Sequence, residues 1–507
     1  MSSNTLRFYL DGNLIEIDDC DPTHSVLQYL REDSHRVGSK EGCAEGDCGA
    51  CTVVVGELVG AQNKPRLQFR AVNACIQFLP TLDGKMLFTV ESLKTAQGQL
   101  HPVQQSMVDY HASQCGFCTP GFIMSMFALY KSNVNIDRET IDDALSGNLC
   151  RCTGYRPIIE ACQHMNDYAI PSDANSLVYR SAQDRNDSVD RAEQLAIEAL
   201  QKIRRCDLLT MQTKSGLYFA PATTQEFALL YEQHSDATIL AGGTDVGLWV
   251  TKQLRELPKI IYLGNIAELN RIEETDTDFE IAAAVTLTVA FDRLSEDYPE
   301  LNELCRRFAS MPVRNAGTLV GNIANGSPIG DSMPALICIG ARVKLRKGLA
   351  TRIIALQDLY LGYQKNALQA GEFIESVLIE KRDPSLLVRS YKICKRFDQD
   401  ISAVCAAFSI RLDGDNVSDI RIAFGGMAAT PKRATHTELS LKGESWNEDN
   451  LRTAMNCLAQ DYSPLSDMRA SSAYRQQVGA NLLYRFYLET RQHEPLAADA
   501  VNVFLVS

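Results

Sequence analysis

The chain has 507 residues, of which 45% are hydrophobic and 22% are charged, so it can bury several cores and is not intrinsically disordered. Its 50 Lys and Arg residues against 63 Asp and Glu residues give a net charge of −13, which argues against a nucleic-acid-binding protein. The sequence has no run of 18 apolar residues and no secretory signal at its start, so we expect a cytoplasmic protein without a membrane span.

The first 90 residues predict a small sheet packed with one helix. Alternating apolar residues indicate two strands around a turn at residues 11–13, and helical spacing follows at residues 25–31. Glycines from Gly38 to Gly49 predict an irregular loop that bends tightly. Three further strands are predicted at residues 52–59, 69–74 and 87–90.

Residues 95–168 change to helical patterns. Pro102 begins one predicted helix, and Thr119 followed by Pro120 is typical of an N-cap and the first helical position. The other helices are predicted at residues 121–131, 137–145 and 156–168. The polar segment 170–215 is interpreted as a linker that contains a helix at residues 192–204.

From Tyr218 onwards, helical and strand patterns alternate, which is typical of α/β structure. Two segments within this part, 241–247 and 314–331, are rich in glycine. Helices are predicted at residues 224–232, 301–308, 448–459 and 470–491, and strands at residues 237–240, 259–263, 279–283, 401–410 and 419–425.

Half of the 16 cysteines lie at short spacings in the first third of the chain. These eight are Cys43, Cys48, Cys51, Cys75, Cys115, Cys118, Cys150 and Cys152. The others are scattered singly, several in apolar runs, and are interpreted as small buried hydrophobic residues. They are Cys20, Cys162, Cys206, Cys305, Cys338, Cys394, Cys405 and Cys457.

The first set has the spacing Cys43-x4-Cys48-x2-Cys51, with Cys75 after 23 intervening residues. This spacing matches the ligands of a plant-type [2Fe–2S] cluster. Three thiolates from one loop require that loop to wrap around the cluster, and its glycines allow the bends and expose N–H groups toward sulfur. A zinc site is the alternative, but zinc sites usually use two Cys-x2-Cys hooks, so the iron–sulfur interpretation is favoured.

The second set consists of Cys115-x2-Cys118 and Cys150-x-Cys152, with 31 residues between the two pairs. The spacing alone is also compatible with a zinc module. Each pair lies at the end of a predicted helix, so two helical hairpins could bring the pairs together, and a helix N-terminus would stabilise a thiolate. Two four-cysteine sites in adjacent small domains suggest an electron relay.

The two glycine-rich segments are compatible with a bound dinucleotide. Residues 239–247 predict a strand that runs into a glycine turn, whose N–H groups can bind a pyrophosphate. The segment lacks the G-x-G-x-x-G fingerprint, so a Rossmann domain is not supported, and taken alone it is equally compatible with an ordinary tight loop. A second loop at residues 315–328, also rich in Gly, Asn, Ser and Thr, favours a long dinucleotide.

Three motifs together resemble the iron–sulfur portion of the xanthine dehydrogenase family of molybdenum hydroxylases. They are EGCAEGDCGACTV at residues 41–53, QCGFCTPG at 114–121 and GNLCRCTGYRPI at 147–158. The resemblance implies an α+β multidomain protein. Its expected parts are a ferredoxin-like β-grasp domain with a plant-type [2Fe–2S] cluster (1–92), a four-helix [2Fe–2S] bundle (93–168), a linker (169–215), a non-Rossmann α/β FAD-binding domain (216–385) and a C-terminal α/β flavoprotein domain (386–507).

The same resemblance implies that all eight clustered cysteines are cluster ligands, with the helical-domain cluster nearest molybdenum and the plant-type cluster nearer the flavin. The residues implied to contact FAD are Leu240, Ala241, Gly242, Gly243, Thr244, Asp245, Val246, Gly247, Phe308, Ala309, Thr318, Gly321, Asn322, Asp331 and Lys392. Residues 396–401 resemble a charged loop that influences the use of NAD⁺ or oxygen, but they are less uniformly charged, which leaves the acceptor open.

The sequence contains no counterpart of the molybdopterin-binding portion of the family. The resemblance therefore implies the small, electron-transfer subunit of a bacterial-type enzyme that oxidises hypoxanthine and xanthine to urate. Electrons would pass from molybdenum on a large partner subunit through two [2Fe–2S] clusters to FAD and then to NAD⁺, and family members pair as dimers of heterodimers. We expect no general acid or base in this chain.

Two alternatives remain. One is the same electron-transfer role in a related molybdenum hydroxylase for another N-heterocycle or an aldehyde, because the substrate site lies on the other polypeptide. The other is a zinc-stabilised binding scaffold without redox activity, which would be colourless and would contain zinc.

Overall fold

The computed structural model describes residues 4–60, 64–132, 134–171, 174–181 and 191–501. Contacts group the chain into two compact units. The first comprises Met1–Ala267 with Ala309–Gly317, and the second comprises Glu268–Phe308 with Thr318–Ser507. The predicted domain boundaries divide the chain more finely and stay predictions; the predicted FAD-binding segment, 216–385, contributes to both units.

The first unit begins with a five-stranded sheet in the order β2-β1-β5-β3-β4. Its strands are β1 Leu6–Leu10, β2 Asn13–Ile17, β3 Thr52–Val59, β4 Arg66–Asn73 and β5 Met86–Phe88. Strands β1 and β5 are parallel, and the other neighbours are antiparallel. A helical turn, Val26–Gln28, continues as a π-helix, Tyr29–Asp33. The predicted ferredoxin-like fold is confirmed.

Both faces of this sheet are buried, which explains why β3 reads as a continuous apolar run rather than an alternating one. Val54 belongs to a core that includes Phe122 and Phe127 of the following helices. Val53 and Val55 point to the opposite face and share a core with residues of a second sheet. The first sheet therefore separates two hydrophobic cores of the first unit.

Four helices follow the sheet and form the predicted helical domain. They are Pro102–Asp109, Thr119–Tyr130, Arg138–Leu145 and Arg156–Gln163. The helix predicted over 156–168 ends five residues early, at Gln163. The expected N-cap at Thr119 is also wrong: Cys118 occupies that position, because the Thr119 hydroxyl pairs with Ser113 at 2.7 Å instead of capping the helix.

The linker predicted over 169–215 contains ordered structure. Its described residues form the helices Ser176–Tyr179 and Arg191–Ile203, and strand β6 Leu209–Gln212; the polar residues 182–190 lie outside the described part. Arg205 binds the buried Asp83 at 2.7 Å and the carbonyl of Thr5. The helix predicted at residues 192–204 corresponds to Arg191–Ile203. Ion pairing and strand pairing order the end of the segment despite its polar composition, and the bounds of the linker stay a prediction.

A second sheet in the first unit has the order β6-β7-β9-β8. Its remaining strands are β7 Leu217–Ala220, β8 Thr238–Leu240 and β9 Lys259–Tyr262. The helices of this part are Thr224–Gln233, Val246–Thr251 and Met311–Ala316. Strands β8 and β9 are parallel, so the glycine turn that follows Leu240 leaves the carboxyl end of a strand, as the sequence predicts.

The second unit contains a sheet in the order β10-β11-β16-β12-β13, a hairpin β14-β15 and a sheet in the order β17-β18-β19-β20. The strands are β10 Ile272–Glu274, β11 Asp278–Ala282, β12 Arg342–Lys347, β13 Ala350–Ala355, β14 Tyr360–Gly362, β15 Lys365–Asn366, β16 Phe373–Glu380, β17 Leu387–Ile393, β18 Val404–Asp413, β19 Asn416–Gly425 and β20 Lys432–Arg433. The helices are Leu287–Asp297, Asn302–Arg306, Leu319–Asn325, Ser332–Cys338, Thr435–Leu441, Glu448–Asp461 and Ser472–Thr490.

The second glycine-rich segment differs from the predicted loop. It contains the end of the helix Met311–Ala316 and the whole helix Leu319–Asn325. The Thr318 hydroxyl accepts a hydrogen bond from the Gly321 N–H at 3.0 Å and so caps the second helix, which offsets the low helix propensity of Gly and Asn.

Across the described residues, no helix has the length and apolar character needed to cross a membrane.

Gly49 lies where the first cysteine loop meets the helical domain, and it has a φ of +69°. A Cβ at this position would lie 2.1 Å from the Gly147 carbonyl oxygen. We expect Gly49→Ala to destabilise the protein by well over the ~1–2 kcal/mol that a left-handed conformation alone costs an Ala, because backbone must also move. The thermal unfolding midpoint of the purified protein measures this effect.

Gly84→Ala is the matched control. Gly84 has a φ of +77°, and a Cβ there would meet nothing within 4 Å. If both variants lowered the midpoint equally, the close contact at Gly49 would have no energetic weight.

Candidate iron–sulfur and flavin sites

The first cysteine loop brings its thiols together between two strand ends. Cys51 directly precedes β3 and Cys75 follows β4, and their sulfur atoms lie 3.3 Å apart. Cys43 is within hydrogen-bonding reach of both Cys48 and Cys75. Gly46, with a φ of +78°, provides a bend between the ligand positions that other residues rarely adopt. The four predicted ligands of the first set are therefore linked pairwise, Cys48 to Cys43, Cys43 to Cys75 and Cys75 to Cys51.

Hydrogen bonds in this set affect the individual thiols differently. The neighbouring thiols of Cys48 and Cys75 lower the pKa of Cys43, whereas Cys48 has a raised pKa, first because it pairs with Cys43 and then because it is desolvated. The Cys48 N–H lies 3.3 Å from the Cys43 sulfur. Backbone donors of this kind stabilise thiolate charge and tune a bound metal centre.

The second set comes together in two pairs. Cys115 and Cys152 have their sulfur atoms 3.7 Å apart, and both are exposed. Cys118 and Cys150 form the other pair, and burial, followed by the proximity of Cys150, raises the pKa of Cys118 to about 12. Cys118 lies at the N-terminus of the helix Thr119–Tyr130. The two cysteine pairs of the second set are therefore brought together, as the sequence analysis predicts.

The paired thiols fit a dinuclear cluster. A [2Fe–2S] cluster takes two thiolates on each iron, and each set offers pairs of adjacent sulfur atoms. All 16 cysteines lie in the described part of the chain and none forms a disulfide. Within the described ranges, no three His, Cys, Asp or Glu side chains converge on one ion position.

The scattered cysteines divide into two groups. The prediction of small buried residues is confirmed for Cys20, Cys162, Cys305, Cys338 and Cys405. It is wrong for Cys206, which is exposed, and Cys394 and Cys457 are only half-buried. Burial alone raises the pKa of Cys162 to about 12, which keeps it a neutral thiol.

The two cysteine loops touch through their backbones. The Leu149 N–H donates to the Cys48 carbonyl at 3.0 Å, and Leu149 directly precedes Cys150. The buried Asn148 amide donates to the Gly49 carbonyl at 3.1 Å, and its oxygen accepts from the Ser125 hydroxyl at 2.6 Å. Asn148 therefore fixes one ligand loop against the other, a role that the sequence analysis missed because only the contact across 99 residues reveals it.

The predicted flavin segment of the first unit, 240–247, is tightly packed. A Cβ on Gly242 would lie 1.9 Å from the Ala316 carbonyl oxygen, and Gly243 has a φ of +75°. A Cβ on Gly247 would lie 2.7 Å from the carbonyl oxygen of Ile76, the residue after the cluster-ligand candidate Cys75. The glycines therefore permit a close backbone approach, whether or not this turn also binds a pyrophosphate.

The rest of this segment and Ala309 belong to the same unit. Burial raises the pKa of Asp245. Ala309 has a φ of +50°, and its carbonyl accepts from Arg314 at 3.1 Å. The other predicted members of the segment are Leu240, Ala241, Thr244 and Val246. Their contact with FAD stays a prediction.

The remaining predicted flavin residues lie in the second unit, where polar groups surround Asp331. One carboxylate oxygen of Asp331 pairs with Lys392, which also donates to the Ser402 hydroxyl at 3.1 Å. The other oxygen, Oδ1, is buried and has no hydrogen-bond partner among the described residues. A buried carboxylate oxygen needs a donor, so it fits the predicted acceptor of hydrogen bonds from a cofactor.

Several neighbours complete the description of this unit. Asn322 accepts from the Ser332 hydroxyl at 2.6 Å, and the Phe308 ring meets Phe291 edge-on at 5.3 Å. The Thr286 hydroxyl is buried without a partner in the described structure, and its backbone pairs with Thr318. The sequence analysis did not include Thr286 and Ser402 among the candidate flavin-site residues, because neither lies in a glycine-rich motif.

The loop at residues 396–401 combines charge with exposed apolar surface. The Arg307 guanidinium lies 4.3 Å from the centre of the Phe397 ring. The Asp400 carboxylate accepts from the backbone N–H groups of Lys395 and Arg396, at 2.9 Å each. Phe397 and Ile401 are exposed. The Asp400 carboxylate thus holds the start of the loop, while two apolar side chains remain on its surface.

Four family models match successive parts of the chain. Residues 8–78 match the 2Fe-2S iron-sulfur cluster binding domain, and residues 89–163 match the [2Fe-2S] binding domain. Residues 210–380 match the FAD binding domain in molybdopterin dehydrogenase, and residues 389–490 match the CO dehydrogenase flavoprotein C-terminal domain. The predicted combination of iron–sulfur, FAD-binding and flavoprotein domains is confirmed.

Curated relatives and solved structures agree with these matches. The xanthine dehydrogenase of Emericella nidulans and the xanthine dehydrogenase/oxidase of Gallus gallus are each 30% identical to this chain, over 98% and 97% of its length. The alignments cover 40% of either relative, so the chain spans about two fifths of their length. The Cu,Mo-CO dehydrogenase superposes with a TM-score of 0.50 and 26% identity over 53% of this chain and 94% of that one. The quinoline 2-oxidoreductase of Pseudomonas putida 86, at 24% identity and a TM-score of 0.50, shares the fold over 55% of this chain and 97% of its own.

Cys115→Ser should remove one cluster and leave the rest of the protein loaded. The substitution breaks the exposed pair with Cys152, whereas the first cysteine set and the predicted FAD residues are untouched. We expect about half of the iron to be lost, because each [2Fe–2S] cluster needs four thiolates, while FAD content stays constant. Iron and flavin assays, together with the EPR spectrum of the reduced protein, measure this outcome.

Cys206→Ser is the control, because Cys206 is also exposed and lies in neither set. Loss of FAD in Cys115→Ser, or loss of iron in Cys206→Ser, would contradict the assignment of the second set.

Proposed function

Because this chain belongs to the molybdenum hydroxylase family and carries its iron–sulfur and FAD-binding domains, we propose that it is the electron-transfer subunit of a xanthine dehydrogenase. In this proposal, a large molybdopterin-binding partner oxidises hypoxanthine and xanthine to urate. Electrons enter at the second cysteine set, pass to the first, reach FAD and leave on NAD⁺. When bound, the clusters exchange single electrons, and the flavin combines them into the pair that a hydride carries.

The backbone contact between the two cysteine loops carries this proposal. Covalent bonds lead from the Cys48 sulfur to its carbonyl, one hydrogen bond of 3.0 Å joins that carbonyl to the Leu149 N–H, and Leu149 is bonded to Cys150. A short, mostly bonded connection between two ligand residues favours rapid electron transfer between the centres that they would hold. A zinc scaffold has no need for such a connection.

A second contact extends the connection toward the flavin segment of the first unit. Ile76 follows Cys75, and a Cβ on Gly247 would lie only 2.7 Å from its carbonyl oxygen, whereas a Cβ on Gly243 would lie at an ordinary contact distance of 3.4 Å. The Thr251 hydroxyl donates to the Ala44 carbonyl in the first cysteine loop at 2.7 Å. The predicted flavin turn and the first cysteine set are thus held in direct contact.

The exposure of the second set supports a partner on that side. Cys115 and Cys152 are exposed, as is the neighbouring Phe117. By contrast, Cys51 and Cys75 are 1% and 3% exposed. The remaining cysteines of both sets are half-buried. An electron donor can therefore approach the second set more closely than the first, which agrees with a large molybdopterin subunit as the partner. Assembly as a dimer of heterodimers belongs to the same proposal.

A second candidate is the same relay in a molybdenum hydroxylase for another substrate. The Cu,Mo-CO dehydrogenase superposes with 26% identity, so relatives of this fold serve chemistry other than purine oxidation. The identity with xanthine dehydrogenases extends over 95% or more of this chain in several relatives, which favours the purine substrate.

The proposal is tested by purifying the native protein from its source cells together with the polypeptides and cofactors that co-purify with it. We expect brown protein with two [2Fe–2S] clusters and one FAD per chain, together with a larger molybdenum-containing polypeptide that oxidises xanthine. NADH added without air should reduce the flavin and both clusters. Zinc without iron or flavin would overturn the relay, whereas an aldehyde or another heterocycle as the oxidised substrate would select the second candidate.

Asn148→Ala should slow electron transfer between the two clusters while leaving both in place. Without the amide, the Gly49 carbonyl and the Ser125 hydroxyl lose partners, so the ligand loops are held less closely. After rapid partial reduction, we expect several-fold slower equilibration between the two EPR signals in freeze-quenched samples. Asn13→Ala on the exposed edge strand is the control, and unchanged equilibration in Asn148→Ala would show that the contact does not limit transfer.

A further inference from the structure

Asn73 is a buried side chain without a partner, and it lies beside the first cysteine set. It is the last residue of β4 and is 2% exposed. Neither its amide nitrogen nor its amide oxygen has a hydrogen-bond partner among the described residues. Leaving such a group buried and unsatisfied costs about 1–3 kcal/mol, so a native protein normally supplies a partner.

The position of Asn73 shows where that partner must be. Asn73 pairs across the sheet with Thr52, which follows Cys51, and it precedes Cys75 by two residues. Its amide lies near the Cys51 thiol, although the two do not have the geometry of a formed hydrogen bond. Its oxygen would lie 3.6 Å from a Cβ on Gly46 in the first cysteine loop. The side chain therefore lies between the strand ends that hold two of the predicted ligands.

Asn148, a second buried asparagine nearby, shows that unsatisfied amides are not general in this region. The Asn148 nitrogen donates to the Gly49 carbonyl and to the Thr52 hydroxyl, at 3.1 and 3.3 Å, and its oxygen accepts from Ser125. Protein groups satisfy every polar atom of that side chain. Both amide atoms of Asn73 are unpaired instead, and the nitrogen is the one that can donate to the anionic sulfur of a cluster on the neighbouring cysteines.

We propose that Asn73 is a positioning residue that donates an N–H hydrogen bond to anionic sulfur of the first iron–sulfur cluster. This inference rests on the proposed function, because it requires a cluster on the first cysteine set. A hydrogen bond to sulfur offsets negative charge, which increases when the cluster accepts an electron, so it raises the reduction potential. Asn73 thereby favours electron flow from the second centre into the first.

The proposal is tested by redox titration of the full chain, followed by EPR. Asn73→Leu has a similar volume and no donor, and Asn73→Asp retains the shape but replaces the N–H donors with a carboxylate. We expect both variants to shift the first cluster to a more negative potential, with the larger shift in Asn73→Asp. The second cluster in the same molecule is the internal control and should keep its potential.

A spectroscopic measurement on the unsubstituted protein gives the direct readout. With the chain labelled with ¹⁵N at asparagine, pulsed EPR of the reduced first cluster should show a coupled ¹⁵N nucleus and an exchangeable proton that is lost in D₂O. Absence of that ¹⁵N coupling, or unchanged potentials in both variants, would overturn the role of Asn73. Absence of any cluster signal in the unsubstituted protein would instead overturn the proposed function, and this inference with it.

Discussion

Direct backbone contact between the two cysteine loops is the constraint on which the arrangement of the first unit depends. The Gly147 carbonyl fills the space that a Cβ on Gly49 would need, and the Gly49 carbonyl does the same at Gly121, each at 2.1 Å. Glycine is required here for closeness rather than only for turning. Any larger residue would separate the ligand loops, and electron transfer between centres weakens steeply with separation.

The first sheet transmits this constraint to the rest of the unit. Strands β3 and β4 run antiparallel with Thr52 opposite Asn73, so the residues that flank the strands, Cys51 and Cys75, meet at one end of the pair. The same strands bury Val54 against the helices and Val53 against the second sheet. The helical domain and the turn predicted to bind FAD therefore pack on opposite faces of one sheet, which also holds two of the clustered cysteines at its strand ends.

Local patterns were enough to predict most elements, because spacing and capping act over a few residues. Spacing also divided the eight clustered cysteines into the two sets whose members the structure brings together. Strand β3 was predicted at its observed bounds, since a run such as TVVVGELV favours a strand in any context. Long-range contacts explain one departure from the predictions, because the ion pair of Arg205 with Asp83 and the pairing of β6 with β7 order part of a polar segment. The other departure is local: Thr318 caps a helix in a glycine-rich stretch that was interpreted as a loop. The roles of Asn73 and Asn148 depend on neighbours that the sequence does not place beside them.

The unequal burial of the two cysteine sets has a consequence for how the thiols meet oxidants. Cys51 and Cys75 are part of the core that joins the first sheet to the second, whereas Cys43 and Cys48 are half-buried. Cys115 and Cys152 are exposed. A dissolved oxidant therefore reaches the second set first, and the core of the first unit shields half of the first set from it.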